Sequence, residues 1–222
     1  TFVPLCGRFC TFNLLIGNSM LHFIVWYAPT TGHTATERQN SLDKLDGLIN
    51  DCPNNHLLIV MGDANAAIGP YSPLDNVCGK LGNPAENGPG INLRALLAMQ
   101  NLYAPVTRYT QTITGTWHHP QSNTLHQCDN IFLRWDDRRA VRKCWNSMML
   151  TSTNHYSMRL QIDLSKISPP PKTLRSQRTV LDYDAFFTTE LAAHTSAALL
   201  REIKPQLRPI SMQNLEEVLA CT

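Results

Sequence analysis

The chain has 222 residues, of which 43% are hydrophobic and 16% are charged, a composition typical of a folded globular protein and not of a disordered one. Its formal net charge of +2 is too small to require a polyanionic partner, so a nucleic-acid function depends on where individual residues lie. Seven scattered cysteines without a Cys-x-x-Cys pair or a matching histidine spacing favour reduced thiols over a disulfide framework or a zinc site.

Features of membrane and secreted proteins are missing from this sequence. It contains no apolar run of about 18 residues, the length that a membrane-spanning helix needs. Residues 1–20 lack the basic start, apolar middle and small-residue cleavage site of a signal peptide. We therefore expect an intracellular protein, nuclear or cytoplasmic, without a membrane partner.

The first 65 residues predict the strand, helix and strand order of an α/β domain. Residues 1–20 contain apolar clusters without a cap or a period, and they predict a strand whose partners are absent. Residues 21–30 predict a second strand, which a proline closes, and Thr36 is then the expected cap of an amphipathic helix. Residues 57–65, Leu-Leu-Ile-Val-Met-Gly-Asp-Ala-Asn, predict a short strand buried on both faces.

Chemically active side chains come directly after this buried strand. Gly62 permits a sharp turn, and Asp63 and Asn65, two apart in extended chain, project from the same side. A carboxylate beside an amide suits phosphate or metal chemistry. The same Gly-Asp-x-Asn pattern also forms an ordinary Asx turn, so it does not identify a site by itself.

The second half of the domain predicts a long loop, one helix and further strands. The predicted elements are a surface loop over 66–90, a helix capped by Asn92, and strands over 102–106, 127–133 and 157–164. Asp129 lies just inside the strand over 127–133, and Asn154-His155 directly precedes the last strand.

A change of composition at Ser168-Pro169-Pro170-Pro171 predicts a stiff, basic linker. We therefore expect a first domain over 1–165, a Pro-rich basic linker over 166–180 and a helical connector over 181–222.

Five short motifs occur in one order along the chain: Tyr27-Ala28-Pro29-Thr30, Met61-Gly62-Asp63-Ala64-Asn65-Ala66, Thr116-Trp117-His118-His119-Pro120, Asp129-Asn130-Ile131-Phe132 and Thr153-Asn154-His155. In this order they resemble the endonuclease/exonuclease/phosphatase superfamily. Within it they are most similar to the apurinic-like endonuclease domain of LINE-type non-LTR retrotransposons, a group that includes host proteins described as craniofacial development protein 2-like. The order and spacing make the joint pattern far more specific than any one motif.

This resemblance implies both a fold and an activity. The fold is an α/β class, four-layered α/β/β/α sandwich of the deoxyribonuclease I type, here incomplete at the N-terminus and followed by a C-terminal helical tail. The activity is divalent-metal-dependent hydrolysis of phosphodiester bonds in DNA. A reverse transcriptase domain downstream in the parent element is the second implied partner.

The resemblance also implies a role for each catalytic residue. His155 donates a hydrogen bond to a phosphate oxygen, and Asp129 holds the tautomer of its imidazole. Asp63 orients or deprotonates the attacking water, and Asn65 holds either Asp63 or the phosphate. The phenol of Tyr27 contacts the phosphate.

A second group of matched residues is expected to contact DNA or metal. Thr116, Trp117 and His118 belong to the segment that the family places at the DNA groove. Asp63 is an expected ligand for magnesium or manganese. Asn154 stands where the family has a metal-site aspartate, so a neutral amide replaces a carboxylate there.

A further departure is that no glutamate precedes Glu37, whereas the family's first strands supply the glutamate that is its principal metal ligand. The two departures together predict a truncated, partly decayed endonuclease with its metal weakly held or absent. One alternative is a non-catalytic nucleic-acid-binding or interaction module derived from the same domain. Another is a phosphatase or nuclease for small phosphorylated ligands.

Overall fold

The computed structural model of the chain describes residues 2–82, 85–148 and 153–167. These residues form two α-helices, ten strands and three short 3-10 helices. The α-helices are α1 (Ala35–Asn50) and α2 (Gly88–Met99), and the 3-10 helices are Pro105–Arg108, Trp135–Ala140 and Leu164–Lys166. The strands are β1 (Phe2–Cys6), β2 (Phe9–Ile16), β3 (Ser19–Trp26), β4 (Leu57–Asp63), β5 (Leu102–Tyr103), β6 (Trp117–His118), β7 (Leu125–His126), β8 (Asp129–Arg134), β9 (Val141–Ser147) and β10 (Ser157–Ile162).

A six-stranded sheet with the order β1-β2-β3-β4-β8-β5 forms the centre of the fold. Strands β3 and β4 are parallel and are joined by α1, as a crossover connection requires. The other neighbouring pairs in this sheet are antiparallel. Two smaller sheets, β9-β10 and β6-β7, complete the strands of the described residues.

Side chains of β4 alternate between the two faces of the central sheet, and both faces are covered, which explains why its apolar run is continuous. Leu58 and Val60 pack into a core that also contains Leu45 of α1. Leu57 and Ile59 face a second core, against which side chains of β9 and β10 pack. Helices therefore cover one face of the central sheet and a second sheet covers the other, so the expected α/β class and layered sandwich are confirmed.

The prediction for residues 1–20 was wrong about strand partners. Strands β1 and β2 form an antiparallel pair, and β2 pairs with β3 over its whole length. A two-residue Gly17-Asn18 turn joins β2 to β3, and Gly17 has φ 60°, which suits the glycine-first hairpin turn. This short turn signal was present in the sequence.

Both helices begin earlier than the sequence pattern predicted. Thr34, and not Thr36, caps α1, because its hydroxyl accepts from the Glu37 amide while Glu37 reaches back to the Thr34 amide. Asn87, and not Asn92, caps α2 by accepting from the Gly90 amide. The first turn of α2 contains a proline, which a helix tolerates there.

The segment predicted as a surface loop over 66–90 ends at the cap of α2 and contributes to the core. Ile68, Val77 and Cys78 within it are buried against the helix-side core. Among the described residues, neither helix combines the length and apolar character needed to cross a lipid bilayer. The predicted linker over 166–180 lies outside the described residues from residue 168 onward, and so does the whole predicted connector over 181–222.

Candidate active site

Two strand ends place two carboxylates side by side. Strands β4 and β8 are antiparallel, and their register sets Asp63 directly opposite Asp129. Gly62 has φ 140°, and a Cβ atom there would lie 1.9 Å from the carbonyl oxygen of Trp26. Only glycine therefore lets β4 pass this close to the end of β3 and deliver Asp63 to the site.

The residues after β4 form a turn that orients Asp63. The backbone amide of Asn65 donates to Asp63 Oδ1 at 2.9 Å, and Asn65 itself has φ 45°. Its side-chain amide donates to the carbonyl oxygen of Ala28 at 2.9 Å. The Asx-turn interpretation and the functional one are thus compatible, because the turn holds Asp63 and also ties it to the segment that carries Tyr27.

His155 contacts Asp129 at the centre of the site. Its Nδ1 lies 2.9 Å from Asp129 Oδ2. Because an ionised carboxylate only accepts hydrogen bonds, this contact places the ring hydrogen on Nδ1 and leaves Nε2 for a ligand. One donor atom from each of Asp63, Asp129 and His155 lies within 4.8 Å of the other two.

The β6-β7 hairpin is joined to the segment that carries His155. Trp117 and His155 form an isolated antiparallel bridge. The His118 amide donates to the Asn154 carbonyl at 2.9 Å, and the Tyr156 amide donates to the Thr116 carbonyl at 2.6 Å. The hairpin therefore fixes the backbone on both sides of His155.

The two faces of this hairpin carry different side chains. Trp117 lies opposite His126, with ring centroids 5.7 Å apart, and His118 lies opposite Leu125. Because neighbouring side chains on a strand alternate, Trp117 and His126 share one face while His118 points to the other. His126, which sequence reasoning missed, therefore lines the cleft in place of His118.

Thr116 does not contact the cleft as the resemblance implied, because it is fully buried. Its hydroxyl accepts from the amide of Cys128 at 3.1 Å and from the amide of Asp129 at 2.9 Å. Thr116 thus positions the backbone of Asp129 from the buried side.

Replacing Thr116 by valine removes the acceptor for these two amides while keeping the side-chain shape. We expect the free energy of unfolding to fall by about 2–4 kcal/mol, since each unpaired buried donor costs about 1–3 kcal/mol. Thr114→Val, at an exposed position two residues earlier, is the matched control and is expected to change little. Denaturant unfolding of both variants measures the effect; equal stabilities would contradict this role for Thr116.

A cleft of about 420 Å³ collects most of the expected residues. Tyr27, Asp63, Asn65, Trp117, His126 and His155 line it. Tyr27 is 48% exposed, and the guanidinium carbon of Arg8 lies 5.1 Å from its ring centroid. Arg8 belongs to none of the five sequence motifs, yet its guanidinium group places a positive charge beside the cleft.

The environment of Asp63 raises the pKa of its carboxyl. Burial is the main cause, and the neighbouring carboxylate of Asp129 acts in the same direction. The amide of Asn65 and the ring of His155 oppose the rise. A carboxylate with a raised pKa is a stronger base, as activation of water requires.

The donor set fits a hard divalent cation. Asp63 and Asp129 provide carboxylate oxygens, the ligand type that magnesium and manganese prefer, and both belong to the three-residue cluster with His155. Asn154 is exposed, and its backbone carbonyl binds the hairpin. Its side chain contributes at most a neutral oxygen.

Comparisons with known proteins identify the fold. No protein-family model and no curated protein matches the chain. Among solved structures it is similar to the endonuclease domain of TRAS1, a telomere-specific non-LTR retrotransposon, with a TM-score of 0.51, 14% identity, and coverage of 70% of this chain and 63% of that one.

Two further similar structures come from Neisseria. The 3' phosphatase NExo, bound to a product DNA hairpin, has a TM-score of 0.53, 13% identity and coverage of 72% and 66%. The 3'-5' exonuclease NExo of Neisseria meningitidis has a TM-score of 0.53, 13% identity and coverage of 70% and 65%. The chain thus spans less than two thirds of the length of these three structures. At such identities the likeness shows the deoxyribonuclease I-like fold and nothing more.

Proposed function

We propose that this chain is a divalent-metal-dependent phosphodiester hydrolase that acts on DNA, of the endonuclease type found in LINE-type retrotransposons, with impaired metal binding. The observation that carries the proposal is the 2.9 Å contact between His155 Nδ1 and Asp129 Oδ2 beside Asp63, in a cleft open to solvent. The order of the five motifs supports the LINE-type assignment and a reverse transcriptase partner in the parent element.

The side chains divide the chemical work of phosphodiester cleavage. Asp63 orients the attacking water and accepts its proton, and the backbone amide of Asn65 holds its carboxylate in place for this role. His155 donates through Nε2 to a phosphate oxygen, and Asp129 stabilises the positive charge on the ring. Tyr27, which also lines the cleft, contacts the phosphate through its phenol.

Asp63 and Asp129 are the residues that would hold the cation. When bound, a magnesium or manganese ion supplies positive charge to the phosphate and lowers the pKa of water. The neutral amide of Asn154 in place of a carboxylate weakens this binding. We therefore expect activity that needs high metal concentration.

Nicking of supercoiled plasmid DNA tests the proposal. We expect slow conversion to the open circle at millimolar manganese, slower conversion with magnesium, and none after chelation. Inositol phosphates, assayed in parallel, distinguish an enzyme for small phosphorylated ligands. Cleavage of those ligands without nicking would contradict DNA as the substrate, and rapid nicking at micromolar magnesium would contradict the impaired metal site.

The aromatic surface of the hairpin favours one second function, a non-catalytic DNA-binding module. Trp117 packs edge-on against His119 with centroids 5.1 Å apart and lies next to His126, a surface on which bases can stack. This function predicts DNA binding that survives Asp63→Ala and His155→Ala. Affinity falls as salt rises, because phosphate contacts are screened. Binding without any nicking at high manganese would favour this module over the hydrolase.

A further inference from the structure

A second cluster of metal-ligating side chains lies at the other end of the central sheet. His22 on β3 and Cys52 and His56 in the α1-β4 connection each offer a donor atom within 4.8 Å of the other two. The connection enters β4 at Leu57, and the catalytic cleft lies at the opposite end of that strand, about 20 Å away at ~3.3 Å per residue. The two clusters are therefore separate.

Each histidine ring in this cluster has a nitrogen available for a ligand. Asn13, directly across from His22 in the β2-β3 ladder, places Oδ1 2.6 Å from His22 Nδ1. With the hydrogen on Nδ1, this contact leaves the lone pair of Nε2 free for a metal, as in metal-bound histidines whose other ring nitrogen donates to an oxygen. His56 Nδ1 is buried, and it has no hydrogen-bond partner among the described residues.

The backbone that carries Cys52 and His56 is held in place by one arginine. Arg134 at the end of β8 donates to the carbonyl oxygens of Cys52 at 2.9 Å, His56 at 3.1 Å and Pro53 at 3.2 Å. Three bonds from one guanidinium group hold the backbone of this loop. The ligand positions are consequently preorganised.

The donor atoms of the cluster suit a borderline-soft cation. Two imidazole nitrogens and one thiol sulfur are ligand types that zinc binds. The proton of the Cys52 thiol is displaced to solvent when the metal-sulfur bond forms. The resulting thiolate offsets one of the two charges of the cation beside Arg134.

We propose that His22, Cys52 and His56 bind one zinc ion, which cross-links β3 to the loop that enters β4. A nitrogen, nitrogen and sulfur ligand set is typical of zinc, and tetrahedral bonding requires donors about 3.3–3.6 Å apart. The donor atoms lie within 4.8 Å of one another, so side-chain rotation on the fixed backbone, by about 1 Å or slightly more, brings them to those distances. The half-exposed histidines leave the fourth position open to water.

Cobalt substitution and zinc titration of the purified chain test this site. We expect one equivalent of tightly bound zinc, a thiolate-to-cobalt charge-transfer band, and a rise in thermal stability with zinc as mass action requires. His22→Gln and Cys52→Ser are each expected to weaken zinc binding by more than about 100-fold and to remove the stabilisation. Asn13→Ala is expected to weaken zinc binding by about 10–100-fold, because it removes the oxygen that orients the ring of His22.

Two cysteine variants serve as matched controls. Cys78→Ser changes an equally buried thiol elsewhere, and Cys128→Ser changes the thiol that lines the catalytic cleft. Both are expected to retain zinc binding and the cobalt band. His22→Gln, at a half-buried position, keeps the test valid if Cys52→Ser does not fold. Failure to bind zinc, or binding that neither variant changes, would overturn the proposal without affecting the proposed hydrolase.

Discussion

Replacing His155 by alanine is expected to lower the rate of plasmid nicking by about 10²–10⁴-fold, the usual contribution of a positioned acid or base. The variant removes both the donor to phosphate and the partner of Asp129, whose Oδ2 then loses its 2.9 Å contact. Single-turnover nicking at saturating manganese measures the effect. DNA affinity is expected to change little, because most affinity comes from phosphate and groove contacts elsewhere.

Two further variants identify the cause of that loss. Asp129→Asn keeps the shape but puts a neutral amide in place of the carboxylate that accepts from His155 Nδ1 and stabilises positive charge on the ring, so most of the loss is expected to recur. His118→Gln changes a histidine on the other face of the same hairpin and is expected to nick at the wild-type rate. Unchanged nicking by His155→Ala would exclude the proposed mechanism.

Replacing Gly62 by alanine is expected to lower the free energy of unfolding by about 4 kcal/mol or more, a size seen only for severe steric defects. The added Cβ would lie 1.9 Å from the Trp26 carbonyl oxygen, and that backbone atom belongs to the central sheet and cannot move aside. The φ of 140° is also unfavourable for any residue with a side chain. Urea unfolding and thermal melting measure the loss.

Gly47→Ala is the matched control for this prediction. Gly47 lies in the interior of α1, is exposed, and has open space where the Cβ would be. Alanine there is expected to raise the free energy of unfolding by about 0.5–1 kcal/mol, because it reduces the entropy of the unfolded chain. Similar small effects at both glycines would show that β4 does not pass β3 as closely as described.

The predictions for His155 and Gly62 depend on one feature of the sheet. The close passage at Gly62 lets β4 end beside β8, and the register of that pair sets Asp63 opposite Asp129. A one-residue slip would turn one carboxylate to the other face of the sheet. The effect of Gly62 on the free energy of unfolding and the position of the Asp63 carboxylate therefore depend on the same strand pairing.

Sequence reasoning was most successful where a residue's environment depends on its near neighbours. The apolar run of β4, the carboxylate at its end and a strand that contains Asp129 could be predicted, since strands are short and periodic, although β8 begins at Asp129 and not at residue 127. Helix starts were less predictable: Gly88-Pro89-Gly90 has the composition of a loop but forms the first turn of α2. Caps depend on side-chain geometry that several nearby polar residues can satisfy.

By itself, the sequence determined the layered α/β class, the order of the five motifs and the residue types available for phosphodiester chemistry. Only the tertiary structure decided which of them meet. In the folded chain Thr116 is buried behind Asp129, and His126 rather than His118 lines the cleft. Cross-strand register decides which face a side chain occupies.

The same holds for His22, Cys52 and His56. The sequence spacing gave no reason to expect a zinc site there, since His22 lies 30 residues before Cys52. A parallel crossover through α1 brings the loop before β4 back beside β3, and that long-range pairing places the three donors together. Contacts between residues far apart in the chain follow from packing and strand order, which local sequence patterns do not encode.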